Sequence, residues 1–305
     1  MPSTASGELY EIAELDPRTN APHPQGCVKW GIVKNDRTSE KRLLEHQTGN
    51  PRKLVLVKKY FTKEVQVCES LVHIMCARDR TSGEWFQGGG KQKTTVERIL
   101  REMETFGDVR ASSRELQNEQ SNGRTMYMND TSLKLVTQLS ELHSLIQRCK
   151  EGLRSAKAEL VKENHQSVRH IQVVKKVWDE DYIKENIVKE TSTRKYRRCK
   201  LKHLNVTKEI KWPTHTDPYM RWCWYARKTA WYEFLYDNRM SALKSLCGVH
   251  DALLNDQHEV VFEWKSYDKT YTSSNRDELT KSMTPLSTTT STRTDINSER
   301  WTWGT

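Results

Sequence analysis

The 305-residue chain has no uninterrupted apolar run near the ~20 residues that a bilayer-spanning helix needs, which excludes a helical membrane protein. Its opening, Met1-Pro-Ser-Thr-Ala-Ser-Gly-Glu, has neither a basic flank nor an apolar core, so no secretory signal is read there. Its seven cysteines, at 27, 68, 76, 149, 199, 223 and 247, form no C-x-x-C pair and no Cys/His spacing of the zinc type. The expectation is an intracellular chain with reduced thiols and no structural zinc.

The formal charge is +10, which suggests an anionic partner, nucleic acid being the commonest. Most of the excess is local: residues 169–211 hold 13 Lys/Arg against 6 Asp/Glu. Within them Arg194, Lys195, Arg197, Arg198, Lys200 and Lys202 crowd around Tyr196 without an acid. Such a cluster can grip a phosphate backbone or serve as a nuclear import signal; it is equally the pattern of a solvated basic face.

Periodicity gives the organisation. Residues 8–14 alternate as a half-buried strand does, 16–26 read as a loop and 27–33 as a second strand. Asp36 is placed to cap a helix closed off by Gly49 and Pro51. Residues 53–61 read as a third strand, about 63–78 as a second helix and 95–106 as a third. This gives β-β-α-β-α, a small antiparallel sheet flanked by helices, over a first domain of 1–106. Residues 107–130 read as a linker and 131–265 as a mostly α-helical region. In that region Leu135, Leu139, Leu142, Ile146, Cys149, Leu153, Ala156 and Leu160 form a heptad seam within 131–165. The seam suits either a homodimer through 135–160 or packing within its own chain. The basic segment spans 192–203. An aromatic-rich helix is read at 218–246, opened by Asp217-Pro218, with its rings read as core rather than as base-stacking surfaces. Ser/Thr-rich residues 266–305 read as an unstructured tail.

The first domain carries the chemistry. In order come Tyr10 on the first strand, Lys29-Trp30-Gly31 on the second and Arg42 on the first helix. Glu69 follows on the second helix, four residues before His73, and Gly83-Glu84-Trp85-Phe86 closes the unit. Over residues 7–87 this set resembles the GIY-YIG nuclease superfamily, in its phage-type branch with a K-I-G core, an E-x-x-x-H helix and a terminal G-E-W-F. Of the G-I-Y signature only Tyr10 is kept, and Trp30 replaces a small aliphatic residue.

The resemblance implies a DNA endonuclease using one divalent metal, Mg²⁺ or Mn²⁺. Tyr10 and Lys29 would stand near the attacking water, Arg42 on the scissile phosphate and Glu69 on the metal. His46 and His73 are candidate proton shuttles, and a lone helical histidine is also a common structural residue. Independently of family, phosphodiester hydrolysis needs a deprotonated water, a cation on the non-bridging oxygens and stabilisation of the leaving alkoxide. A guanidinium fork fits phosphate, and a carboxylate suits Mg²⁺. Two rival readings stand beside this one: a DNA-binding module that keeps the fold without cleavage, and a scaffold built on the heptad seam.

Overall fold

The strand read at 8–14 is buried on both faces, because it runs through the centre of its sheet. In the computed structural model, which describes residues 6–23, 26–34, 37–88, 90–206 and 211–296 (backbone alone at 90, 91, 194 and 195), β1 spans Gly7–Asp16. It pairs antiparallel with β3 (Cys27–Lys34) on one side and β4 (Leu54–Thr62) on the other, so Tyr10 lies between Gly31 and Lys59. A short β2 (Ala21–Pro22) extends the β1 edge. α1 (Ser39–Gln47) is capped by Thr38, whose hydroxyl accepts the Lys41 N–H; Asp36, the expected cap, lies outside the described residues. α2 (Val65–Met75) follows β4, and β5 (Arg80–Ser82) with β6 (Trp85–Gln87) adds a hairpin to β3. The order β-β-α-β-α is therefore present. Leu43 of α1 packs with Tyr10, Ile12, Val33 and Leu54 on one face of the sheet, while Leu9, Trp30 and Phe86 meet α2 on the other.

Sequence reasoning divides the chain at 106, but α3 runs through that point from Gly90 to Gln117. The stretch after it, expected to be a linker, also contains β7 (Thr125–Tyr127). Tertiary contacts override the weak local propensity of residues 107–117. Arg110 bridges buried Glu64 (2.9 Å) and the side-chain oxygen of Asn238 (2.7 Å), and Arg114 reaches Glu64 at 2.7 Å.

The heptad segment is α4 (Asp130–Lys162), opened by an Asn129/Ser132 capping box. After β8 (Val168–Val177), α5 (Glu180–Asn186) and β9 (Lys189–Leu201) comes α6 (Pro218–Cys247), capped by Asp217 with Pro218 in its first turn. α4 lies along α6, and Gly152 permits the close approach: a Cβ there would stand 2.6 Å from Cε2 of Tyr225. Leu139, Leu142, Ile146, Cys149, Ala156 and Leu160 are buried within the chain, with Leu135 and Leu153 half-buried, so the seam packs against other elements of its own chain, the second of the two expected arrangements. Leu142, Leu145, Ile146 and Cys149 of α4 and Trp231, Tyr232 and Phe234 of α6 join the same buried cluster as Leu9, Trp30 and Leu71. The aromatic helix is thus core, as expected, and it unites the two halves.

The remainder of the chain departs from a mostly helical reading. β10 (Ala252–Leu254) and β11 (Val260–Ser274) form a sheet in the order β7-β10-β11-β9. Beyond α7 (Arg276–Ser282), β12 (Ser287–Ile296) pairs with β8 along its whole length. Residues 266–296, expected to be unstructured, are therefore strand, helix and strand; 297–305 lie outside the described residues. The Thr-rich run is β-branched and takes its partner from over a hundred residues upstream, a pairing that polarity alone conceals. No helix among the described residues is long and apolar enough to cross a membrane.

Candidate functional site

Tyr10 reaches the site from the middle strand. Its ring lies across Gly31, where a Cβ would overlap the hydroxyl and stand 2.6 Å from Cζ. The residue is 1% exposed, its hydroxyl meets His46 Nε2 at 3.2 Å, and the Arg42 guanidinium stands near enough to pull its pKa down. Arg42 and His46 are four residues apart on α1, so one helix face presents both to the tyrosine. Arg42 also pairs with Glu45 on the same helix. Burial raises the Tyr10 pKa, against the lowering effect of Arg42, so the phenol is neutral at ordinary pH. Burial, with Lys29 and Arg42 nearby, depresses that of His46 and keeps the imidazole neutral. The pair is therefore a hydroxyl facing a neutral acceptor.

Lys29, on β3, is 6% exposed and holds Glu84 at 2.5 Å, with the Trp85 ring 5.9 Å from its ammonium. Burial would raise the Glu84 pKa, but the Lys29 hydrogen bond and charge outweigh it and keep the carboxylate ionised. The Gly-Glu-Trp-Phe turn is thus fastened to the sheet by its acid. Glu69, on α2, is half-buried and has no hydrogen-bond or ion-pair partner among the described residues. Burial first and Glu84 second raise its pKa, while Lys34 and Lys29 pull it down; Tyr10 in turn feels both Glu84 and Glu69. His73, one turn along α2, is tied through Nε2 to the Trp30 carbonyl at 3.0 Å, a structural contact. Tyr10, Lys29, Arg42 and His46 are thereby gathered from β1, β3 and α1, and Glu69 of α2 approaches them through the charges of Lys29 and of Glu84 from the β5–β6 turn and through its effect on Tyr10.

Among the described residues no three His, Cys, Asp or Glu side chains stand close enough to share a metal. That fits neither zinc nor a fully protein-built calcium cage. A single half-buried carboxylate with no hydrogen-bond or ion-pair partner among the described residues could hold only a hard dication that keeps most of its waters. Glu69 is the residue that would hold it.

The basic cluster separates by strand alternation. Arg197 is 2% exposed: Nε and Nη2 donate to the Trp264 carbonyl at 3.0 and 2.8 Å, Nη1 to that of Gly248 and Nη2 to that of His250. Its guanidinium lies 3.8 Å from the Trp264 ring. It is a structural residue, a correction to its expected place at a DNA contact. Arg198 and Lys200 are exposed, and Lys202 pairs with Glu259 at 3.1 Å; the side chains of Arg194 and Lys195 lie outside the described residues. Sequence reasoning missed Lys265 and Lys269, which β11 sets beside the cluster from more than sixty residues away.

Set against protein-family models, curated proteins and solved structures, the chain matches none.

Proposed function

We propose that the chain hydrolyses phosphodiester bonds of DNA at the Tyr10/Lys29/Arg42/His46/Glu69 cluster, with Mg²⁺ or Mn²⁺ at Glu69. The observation that carries this reading is the assembly of a neutral Tyr–His pair, a guanidinium, a fixed lysine and an unpartnered carboxylate from four separate elements. Their order along the chain, with the Gly-Glu-Trp-Phe ending, supports it. Neutral His46 accepts the Tyr10 hydroxyl proton and so directs the phenol oxygen, as an acceptor, toward an attacking water. Arg42 can exchange Glu45 for a phosphate in a forked hydrogen bond, and Lys29, held by Glu84, places a second cation nearby. A dication would supply charge neutralisation at the phosphate and stabilisation of the leaving alkoxide.

Purified protein is incubated with supercoiled plasmid and Mg²⁺, beside Glu69→Gln and Arg42→Ala. Nicking by the wild type that falls about a hundredfold or more in each variant is expected. Equal nicking by all three, or by none, overturns the assignment. The near-complete burial of Tyr10 favours one alternative, a DNA-binding module without cleavage. It predicts salt-sensitive DNA binding with no metal-dependent nicking.

A further inference from the structure

β9 and β11 pair without interruption from Lys189↔Ser274 to Leu201↔Phe262. Residues directly opposite in such a ladder share a face, and faces alternate along each strand. One face turns Cys199, Trp264 and Arg197 toward the core. The other sets Lys200 opposite Glu263, Arg198 opposite Lys265 and Tyr196 opposite Tyr267, and continues along β11 to Lys269 and Tyr271. β10 covers the edge of β11 only near Val260–Glu263, so beyond Trp264 these strands form a two-stranded ribbon in solvent. Tyr267 is 44% exposed and lies between exposed Lys265 and Lys269, and Tyr271, 40% exposed, follows Lys269 on the same face. The Lys269 ammonium lies 5.8 Å from the Tyr196 ring and 4.8 Å from the Tyr271 ring, so charge and aromatic surface interleave. Glu263, the acid at the body end of the row, is bound by Lys265 at 2.8 Å.

Lysines and arginines alone would answer a phosphate backbone. Three tyrosines in the same row add flat surfaces, and a base can stack on them only when its own face is bare. A duplex keeps those faces covered. We infer that this face of the β9/β11 ribbon binds single-stranded DNA, its tyrosines stacking unpaired bases and its lysines and Arg198 tracking the phosphates. The choice of DNA rests on the cleavage reading above. The protein would then engage DNA where a strand is unpaired, at a gap, a flap or a melted segment.

The test uses the full chain carrying Glu69→Gln, so that nothing is cut, and measures fluorescence anisotropy of labelled oligo-dT and of a duplex of equal length over a range of salt. Preference for oligo-dT is expected. The Tyr196→Ala/Tyr267→Ala pair should weaken that binding about tenfold or more, while the Tyr→Phe pair should keep it. Lys265→Ala and Lys269→Ala should each flatten the dependence of log affinity on log salt by about 0.7. Circular-dichroism melts confirm that the variants fold. Duplex binding as tight as oligo-dT binding and indifferent to the tyrosines overturns the inference, as does binding of neither. Plasmid nicking by the wild type without oligo-dT binding by Glu69→Gln rejects the ribbon and leaves the cleavage reading standing. Oligo-dT binding without nicking does the reverse.

Discussion

Gly31→Ala puts the smallest available group where the structure has no room. The new Cβ would overlap the Tyr10 hydroxyl and lie 2.6 Å from Cζ and 3.1 Å from Cε2, against the 3.4 Å or more of ordinary contact. The ring has nowhere to retreat. Tyr10 is 1% exposed, packed with Ile12, Val33 and Leu54, and its hydroxyl is held by His46. Either the tyrosine leaves its rotamer or β1 and β3 separate, and overpacking of this kind costs about 1–3 kcal/mol. About 2 kcal/mol lowers the midpoint of a 305-residue chain by roughly 3 °C. Displacing the hydroxyl from His46 by ~1 Å should also reduce plasmid nicking about a hundredfold. The control is a double-mutant cycle: in a Tyr10→Ala background the clash is gone, so Gly31→Ala should cost less than about 0.5 kcal/mol in urea unfolding. Wild-type stability for Gly31→Ala alone, or additive costs in the cycle, would refute the geometry.

Two further predictions come from buried cations and rings. Arg197→Met removes a guanidinium that satisfies the carbonyls of Trp264, Gly248 and His250, and should cost about 3–5 kcal/mol in urea unfolding while leaving the salt slope of DNA binding by the folded fraction unchanged; an altered slope with intact stability would return Arg197 to the DNA-contacting face. His203, stacked on His143 with ring centroids 4.0 Å apart, has its pKa pushed down to about 4 by burial and by that neighbour. The unfolded chain therefore takes up this proton first, near pH 6.5, and stability falls as pH drops from there to about 4. With solvent screening the loss is about 1–2 kcal/mol, and His203→Asn should remove that part of the difference between urea midpoints at pH 7 and pH 4.5.

What the sequence disclosed was mostly local. β1, β3, α1, β4 and α2 follow from alternation, apolar spacing and the Gly49/Pro51 stop, although α1 takes Thr38 as its cap, and α4 and α6 follow from the heptad seam and from Asp217-Pro218. The members of the site were legible as motif positions, but two features of it were not. Glu84 reads as a turn residue until β6 places it against Lys29, and the closeness of Tyr10 to Gly31 depends on strand register. The basic cluster shows the limit most sharply. Arg197 and Arg198 are adjacent and chemically identical, yet one is core and the other surface, because strand side chains alternate with period two and the register is set by β11. The same non-local pairing hid Lys265, Lys269, Tyr267 and Tyr271 beside the cluster.

α6 is the element that joins the sheet carrying the candidate site to the β9/β11 sheet, in place of the expected linker between two domains. Its first turns pack Cys223 against Ala77 beyond the end of α2, and its middle gives Trp231, Tyr232 and Phe234 to the cluster that also holds Leu71 and Val72 of α2. Its last turns give Leu243 and Cys247 to the cluster of Phe262 and Trp264. The Arg197 guanidinium then ties the carbonyls just past its end to β9 and β11. A 30-residue helix extends about 45 Å, and this one is packed at both ends and the middle. α6 therefore packs at one end and its middle against the helix that carries Glu69, and at its other end against the sheet from which the tyrosine-bearing ribbon extends.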